Sequence, residues 1–130
     1  MDRHLNIRDS LQYIEINLES RLNLDDLARR ACLSKYHYHR LFHRETGESV
    51  SQYITKRRME KAAEELAKTE SPIIDIALKF QYASQESFSR AFTRIYGVTP
   101  GKYRKVYVTL KNNNVINLCT NWNKTMSMAA

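Results

Sequence analysis

A chain of 130 residues that is 42% hydrophobic can form one compact domain, or two very small ones sharing a core, and wholesale disorder is excluded. Three Gly and two Pro argue against a turn-rich β-sandwich, while 21 Lys+Arg against 14 Asp+Glu give a net charge of +7 that suits a polyanion, nucleic acid before membrane. No apolar run nears transmembrane length, MDRHLNIRDS has no signal-peptide core, and Cys32 and Cys119 make no disulfide framework, so a cytoplasmic protein is expected.

Ile7, Leu11, Ile14 and Leu18 recur at helical spacing and predict a first helix over roughly 6–20. Leu24, Leu27, Ala28 and Ala31 predict a second, opened by Asn23 with Asp26 three residues on. Ser34 caps a third, with Tyr38, Leu41 and Phe42 inward and Gly47 as its stop. A long helix follows over 49–68, capped by Ser49 and Gln52 and packed through Val50, Tyr53, Ile54, Met59, Ala62, Ala63 and Leu66. Pro72 at a first helical position starts a short fifth helix, Ser84 caps the sixth, and Gly97 ends it. Thr99-Pro100 opens a last helix through about Lys105. Beyond it, VYVTLKNNNVINLC alternates weakly and suggests a small hairpin, and 108–130 reads as a flexible tail or the edge of another segment. The fold class is all-α: seven helices forming two helix-turn-helix subdomains joined by a long central helix, with a domain over 6–107.

The chain also repeats itself. SKYHYHRLFHRETG (34–47) and SQESFSRAFTRIYG (84–97) match at an offset of fifty: Ser34 with Ser84, Tyr38 with Phe88, Arg40 with Arg90, Phe42 with Phe92, Arg44 with Arg94, Gly47 with Gly97. Each copy follows a short helix and a tight turn, the helix-turn-helix arrangement whose second helix enters the DNA major groove. The two units are expected over 23–46 and 72–96. With the aromatic stripes inward, the outward faces carry Tyr36, His39, Arg40 and His43 in the first copy, and Glu86, Ser89, Arg90 and Thr93 in the second. Gln85 lies at the exposed start of the second. Arg forks onto guanine, Gln onto adenine, Ser and Thr bond either base, Glu86 either accepts from cytosine N4 or holds a neighbouring arginine in place, and Tyr36 can stack or contact a thymine methyl. A single amphipathic helix with such a wet face is common. Two in register, in a basic chain, favour DNA.

The linking helix rises about 30 Å at 1.5 Å per residue, close to the roughly 34 Å between successive major grooves on one face of DNA. One chain is therefore expected to span an asymmetric site without a dimer. Lys35, Lys56, Arg57, Arg58, Lys102 and Arg104 are candidate phosphate contacts, with Lys61 and Lys105 beside them.

His39 and His43 sit four apart, but no third or fourth ligand has matching spacing, so no metal is assigned. No nucleophile–base pair, phosphate loop or carboxylate pair suggests an enzyme, and no catalytic residue or cofactor is assigned. The rival reading is a basic helical interaction module that binds RNA or a partner protein; RNA binding would favour stacking surfaces, and only Tyr36 offers one.

LDDLARRACLSKYHYHRLFHRETG and IIDIALKFQYASQESFSRAFTRIYGVTPGKYR resemble the AraC/XylS bacterial transcription regulators over about Ile7 to Arg104. FSRAF leading into YGVTPGKYR is the most specific part, and the small size is most similar to the MarA/SoxS/Rob branch. The resemblance implies a seven-helix double helix-turn-helix domain, binding to double-stranded DNA as a monomer, and activation through contact with RNA polymerase. It also implies DNA contacts by the residues at Tyr36, Arg40, Gln85, Ser89 and Arg90. Tyr36 stands where that branch usually has Trp and His39 where it often has Gln. Cys32 and Gln81 occupy turn positions where the family often has Gly.

Overall fold

Aromatic and aliphatic side chains at helical spacing, broken by capped turns, build an all-helical chain. The computed structural model describes residues 3–112, and among them seven helices and no strand. They are α1 (Arg3–Ile16), α2 (Leu24–Arg30), α3 (Lys35–Thr46), α4 (Val50–Lys68), α5 (Ile73–Lys79), α6 (Gln85–Tyr96) and α7 (Pro100–Asn112). Among the described residues, no helix is long and apolar enough to cross a membrane. The chain divides at Arg58–Met59, inside α4, into two units with separate cores.

In the first unit, Ile7, Ile14 and Leu18 pack with Leu27, Tyr38, Phe42 and the start of α4. In the second, Met59, Leu66, Ile76, Phe88, Phe92, Tyr96 and Tyr103 do the same work. The sequence repeat is repeated in the ring geometry. Tyr38 and Phe42 have centroids 5.8 Å apart at 48°, and Phe88 and Phe92 5.9 Å apart at 44°. Tyr53 meets Phe42 edge-on at 5.5 Å, as Tyr103 meets Phe92 at 5.4 Å. Each of the fully buried rings of Tyr38, Phe42, Phe88 and Phe92 contributes about 1.5–3 kcal/mol. One difference stands out: the Tyr38 hydroxyl bonds Ser10, the one buried polar residue among those described, whereas Phe88 has no hydroxyl to place.

The caps act as their chemistry requires. Asn23, Ser34, Ser49 and Ser84 each accept a backbone N–H in the first turn of the helix that follows. Gly47 (φ 80°) and Gly97 (φ 77°) end α3 and α6 in the left-handed region and donate to the His43 and Thr93 carbonyls.

Local structure departs from the sequence reading at three helix ends. α1 stops at Ile16, not near residue 20: Asn17 closes the last helical bond, its backbone N–H and its side-chain amide both donating to the Tyr13 carbonyl, and residues 17–20 turn away. Leu18 is nevertheless buried. Pro72 is the N-cap of α5 and not its first residue. α7 runs on to Asn112, so residues 108–112 form no hairpin strand and no loose tail. Tyr103, Tyr107 and Leu110 fall on one helical face, the two tyrosine rings stack at 6.3 Å, and Thr109 donates to the Lys105 carbonyl. The remainder of the expected hairpin and tail, 113–130, lies outside the described residues.

Candidate nucleic-acid interface

Each helix-turn-helix turn depends on a left-handed residue. Cys32 (φ 60°) bends the chain between α2 and α3, and Gln81 (φ 72°) does so between α5 and α6. Neither residue is glycine, so both turns carry backbone strain of the kind a Cβ creates in this region.

In the first unit, Tyr38, Leu41 and Phe42 anchor α3 in the core and set its rotation. The opposite face therefore exposes Tyr36, His39, Arg40 and His43, all four sequence candidates together. Tyr36 is 66% exposed, a large aromatic offered to solvent. Arg40 Nη1 donates to its hydroxyl at 3.2 Å, and the guanidinium lies 5.5 Å from the ring centroid. His37 and Arg44 join His39, Arg40 and His43 around the same open depression.

In the second unit, Phe88, Phe92 and Tyr96 bury the inner face of α6. Gln85, Glu86, Ser89, Arg90 and Thr93 line one open depression on the outer face, with Arg94 beside them. Gln85, Glu86 and Arg90 are exposed, and Ser89 and Thr93 half-buried. Thr93 spends its hydroxyl proton on the Ser89 carbonyl at 2.7 Å, leaving its lone pairs to accept. Glu86 and Arg90 are four apart yet make no ion pair with each other.

The sequence reading omitted His37, Arg44 and Arg94 from these faces. Arg44 and Arg94 could have been found, since they too differ by fifty.

The six phosphate candidates do not form one set. Lys35 pairs with Asp25 at 3.3 Å and Lys56 with Glu48 at 2.9 Å, both near the surface. Arg57 forks onto both Glu15 oxygens at 2.8 Å, tying α4 to α1. Arg58 donates to the Leu18 and Ser20 carbonyls beyond the end of α1. Arg104 donates to the Leu66 carbonyl at the end of α4. Lys102 is exposed, and its ammonium makes no bond among the described residues.

Comparison with known proteins gives a consistent answer. A family profile described as a helix-turn-helix domain matches residues 27–106. The Transposon Tn10 TetD protein of Escherichia coli is 48% identical over 99 residues, 76% of this chain and 72% of that protein. The Multiple antibiotic resistance protein MarA of Salmonella typhimurium is 39% identical over 100 residues, 77% of this chain and 79% of its own. Some relatives are longer: the match spans 33% of the HTH-type transcriptional regulator YbfP of Bacillus subtilis and 36% of the Right origin-binding protein of Escherichia coli. Among solved structures, the C-terminal domain of AraT, a response regulator from Geobacillus stearothermophilus, superposes with a TM-score of 0.74 at 38% identity. That match covers 78% of this chain and 84% of that one.

Proposed function

The chain belongs to the AraC/XylS family of helix-turn-helix transcription regulators, and from that premise we propose that α3 and α6 are both recognition helices, reading two major-groove segments of one asymmetric DNA site. The observation that carries this is the matched pair of faces: Arg40 and Arg90 occupy equivalent exposed places on helices anchored by equivalent aromatic stripes. A direct repeat in one chain suits an asymmetric site, where a two-fold dimer suits a palindrome.

In this reading Arg40 and Arg90 fork onto guanine, Gln85 onto adenine, and Glu86 accepts from cytosine N4. His39, His43, Ser89 and Thr93 supply shorter hydrogen bonds to base edges, and Tyr36 contacts a base face or methyl. Lys35, Lys56 and Lys102 take phosphates. Arg57, Arg58 and Arg104 act first as braces, because their guanidinium groups are engaged within the protein. The chain acts as a monomer, and as an activator that contacts RNA polymerase once bound, as its family resemblance implies.

Selection of bound duplexes from a random DNA pool by the whole chain tests the reading. Two unlike sequence blocks at fixed spacing are expected, with RNA failing to compete. Recovery of no shared sequence, or equal competition by RNA, would replace it with a general interaction module.

A further inference from the structure

The two recognition faces are equivalent in position but not in how their arginines are held. On α3, Arg40 Nη1 donates to the Tyr36 hydroxyl at 3.2 Å, and the guanidinium sits 5.5 Å from the ring centroid. On α6 the equivalent pair is Glu86 and Arg90, at the same four-residue spacing, and it makes no contact of this kind. From this difference we propose that Tyr36 is a positioning residue for Arg40, and that the first recognition helix reads its guanine with a pre-oriented fork while the second does not. The inference rests on the reading of α3 as a recognition helix.

The physical case starts from the cost of using an exposed arginine. Its long side chain samples many rotamers, and part of that freedom is lost whenever the fork is fixed on a base. A contact already present in the free protein reduces that loss at the moment of binding. A guanidinium has five N–H donors, and guanine recognition takes two of them. The Tyr36 bond occupies one proton on Nη1, so the edge formed by Nε and Nη2 remains open for guanine O6 and N7. The ring adds a cation–π attraction that acts within about 6 Å.

The neighbours leave this pair room to act. Tyr36 and Arg40 lie one helical turn apart on an exposed face, clear of the buried stripe of Tyr38 and Phe42. Substitution at Tyr36 therefore acts on the arginine and not on the core. The same spacing on α6 places a carboxylate where Tyr36 stands, and an ionised Glu86 facing phosphates is repelled by them. That asymmetry makes the first half-site stricter for guanine than the second.

A double-mutant cycle on the whole chain tests the proposal, using Tyr36→Phe, Arg40→Ala, both together, and Arg90→Ala. Each is titrated against a labelled duplex carrying the selected site and against duplexes with single base changes in each half. Tyr36→Phe keeps the ring and removes only the hydroxyl. It is expected to lower discrimination at the base read by Arg40 about two- to tenfold, the range of one net hydrogen bond. Discrimination in the second half should stay unchanged. In the Arg40→Ala background the same change is expected to do nothing further. A loss of equal size in both backgrounds would mean that the Tyr36 hydroxyl meets DNA independently of Arg40, and the positioning role would fall. So would unchanged discrimination in Tyr36→Phe while Arg40→Ala abolishes it. If Arg40→Ala itself alters no base preference, the reading of α3 as a recognition helix fails, and the inference with it. The melting curve of every variant is expected to match the parent, since all three side chains are exposed.

Discussion

The Tyr38 hydroxyl and the Ser10 side chain form a buried hydrogen bond that joins α3 to α1. Burial pushes the Tyr38 hydroxyl above its ordinary value of 10.0, and the Ser10 bond pulls weakly the other way. Tyrosine is neutral when protonated, and its folded value exceeds the unfolded one. Its contribution is therefore complete below about pH 10 and is lost as pH rises through the folded value. Tyr38→Phe should cost about 1 kcal/mol near neutrality, by stranding the Ser10 hydroxyl. Above about pH 10 the variant should lose stability less steeply than the parent. Urea melts from about pH 8 to about pH 11 measure both; parallel losses in the two proteins would refute the linkage.

Cys32 holds φ 60° at the turn that delivers α3, and its side chain is exposed. A Cβ in the left-handed region costs about 1–2 kcal/mol, and glycine returns part of that through a freer unfolded chain. Cys32→Gly is expected to stabilise the protein by about 0.5–1 kcal/mol without altering base preference. Thermal melts compare the two proteins directly, and a lower midpoint in the variant would contradict the strain.

Much of this architecture was legible because it is local. Ser34, Gly47, Ser84 and Gly97 set the ends of α3 and α6 by side-chain and backbone chemistry within one turn. The fifty-residue offset then fixed which faces were wet. The end of α1 is not legible because Leu18 keeps the apolar spacing and is buried although residues 17–20 already form a turn. The segment after Lys105 alternates in sequence, yet Tyr107 stacks on Tyr103 one turn back and the helix continues. The partners of Arg57, Arg58 and Arg104 were not legible, since each lies about forty residues away in sequence. Such pairs are set by packing, not by periodicity.

Those long-range bonds separate bracing from phosphate contact. Arg57→Ala breaks a two-bond fork on half-buried Glu15 and should destabilise the first unit by about 1–2 kcal/mol. Lys102→Ala should leave the melting curve alone and reduce the slope of log affinity against log salt by about 1. Salt titrations of DNA binding, read beside melts, distinguish the two. An altered salt slope in Arg57→Ala at unchanged stability would reassign that residue to the phosphates.

Arg90 is expected to act on one half of the site only. Arg90→Ala should cost about 1–3 kcal/mol in binding and relax the choice of base in the second half, with the first half still read. Affinities for duplexes altered in either half provide the measurement. Equal weakening on every sequence would make Arg90 a phosphate contact.

Glu86 supplies the sharpest test of base reading on α6. It is exposed, it lines the same depression as Gln85 and Arg90, and it makes no ion pair with Arg90 that would explain a carboxylate here. A carboxylate facing DNA is repelled by phosphates unless a base donor meets it, and cytosine N4 is the major-groove donor that fits. Glu86→Gln removes one negative charge and adds an N–H donor at nearly constant shape. Binding to unrelated DNA should therefore tighten, while preference at one position of the second half-site shifts from cytosine towards adenine, which a Gln amide meets in bidentate fashion. Selection from a pool randomised in that half alone reads the shift base by base. Retention of the parent's cytosine preference in Glu86→Gln would show that another residue reads that position, and would leave the carboxylate as a purely repulsive group on this face.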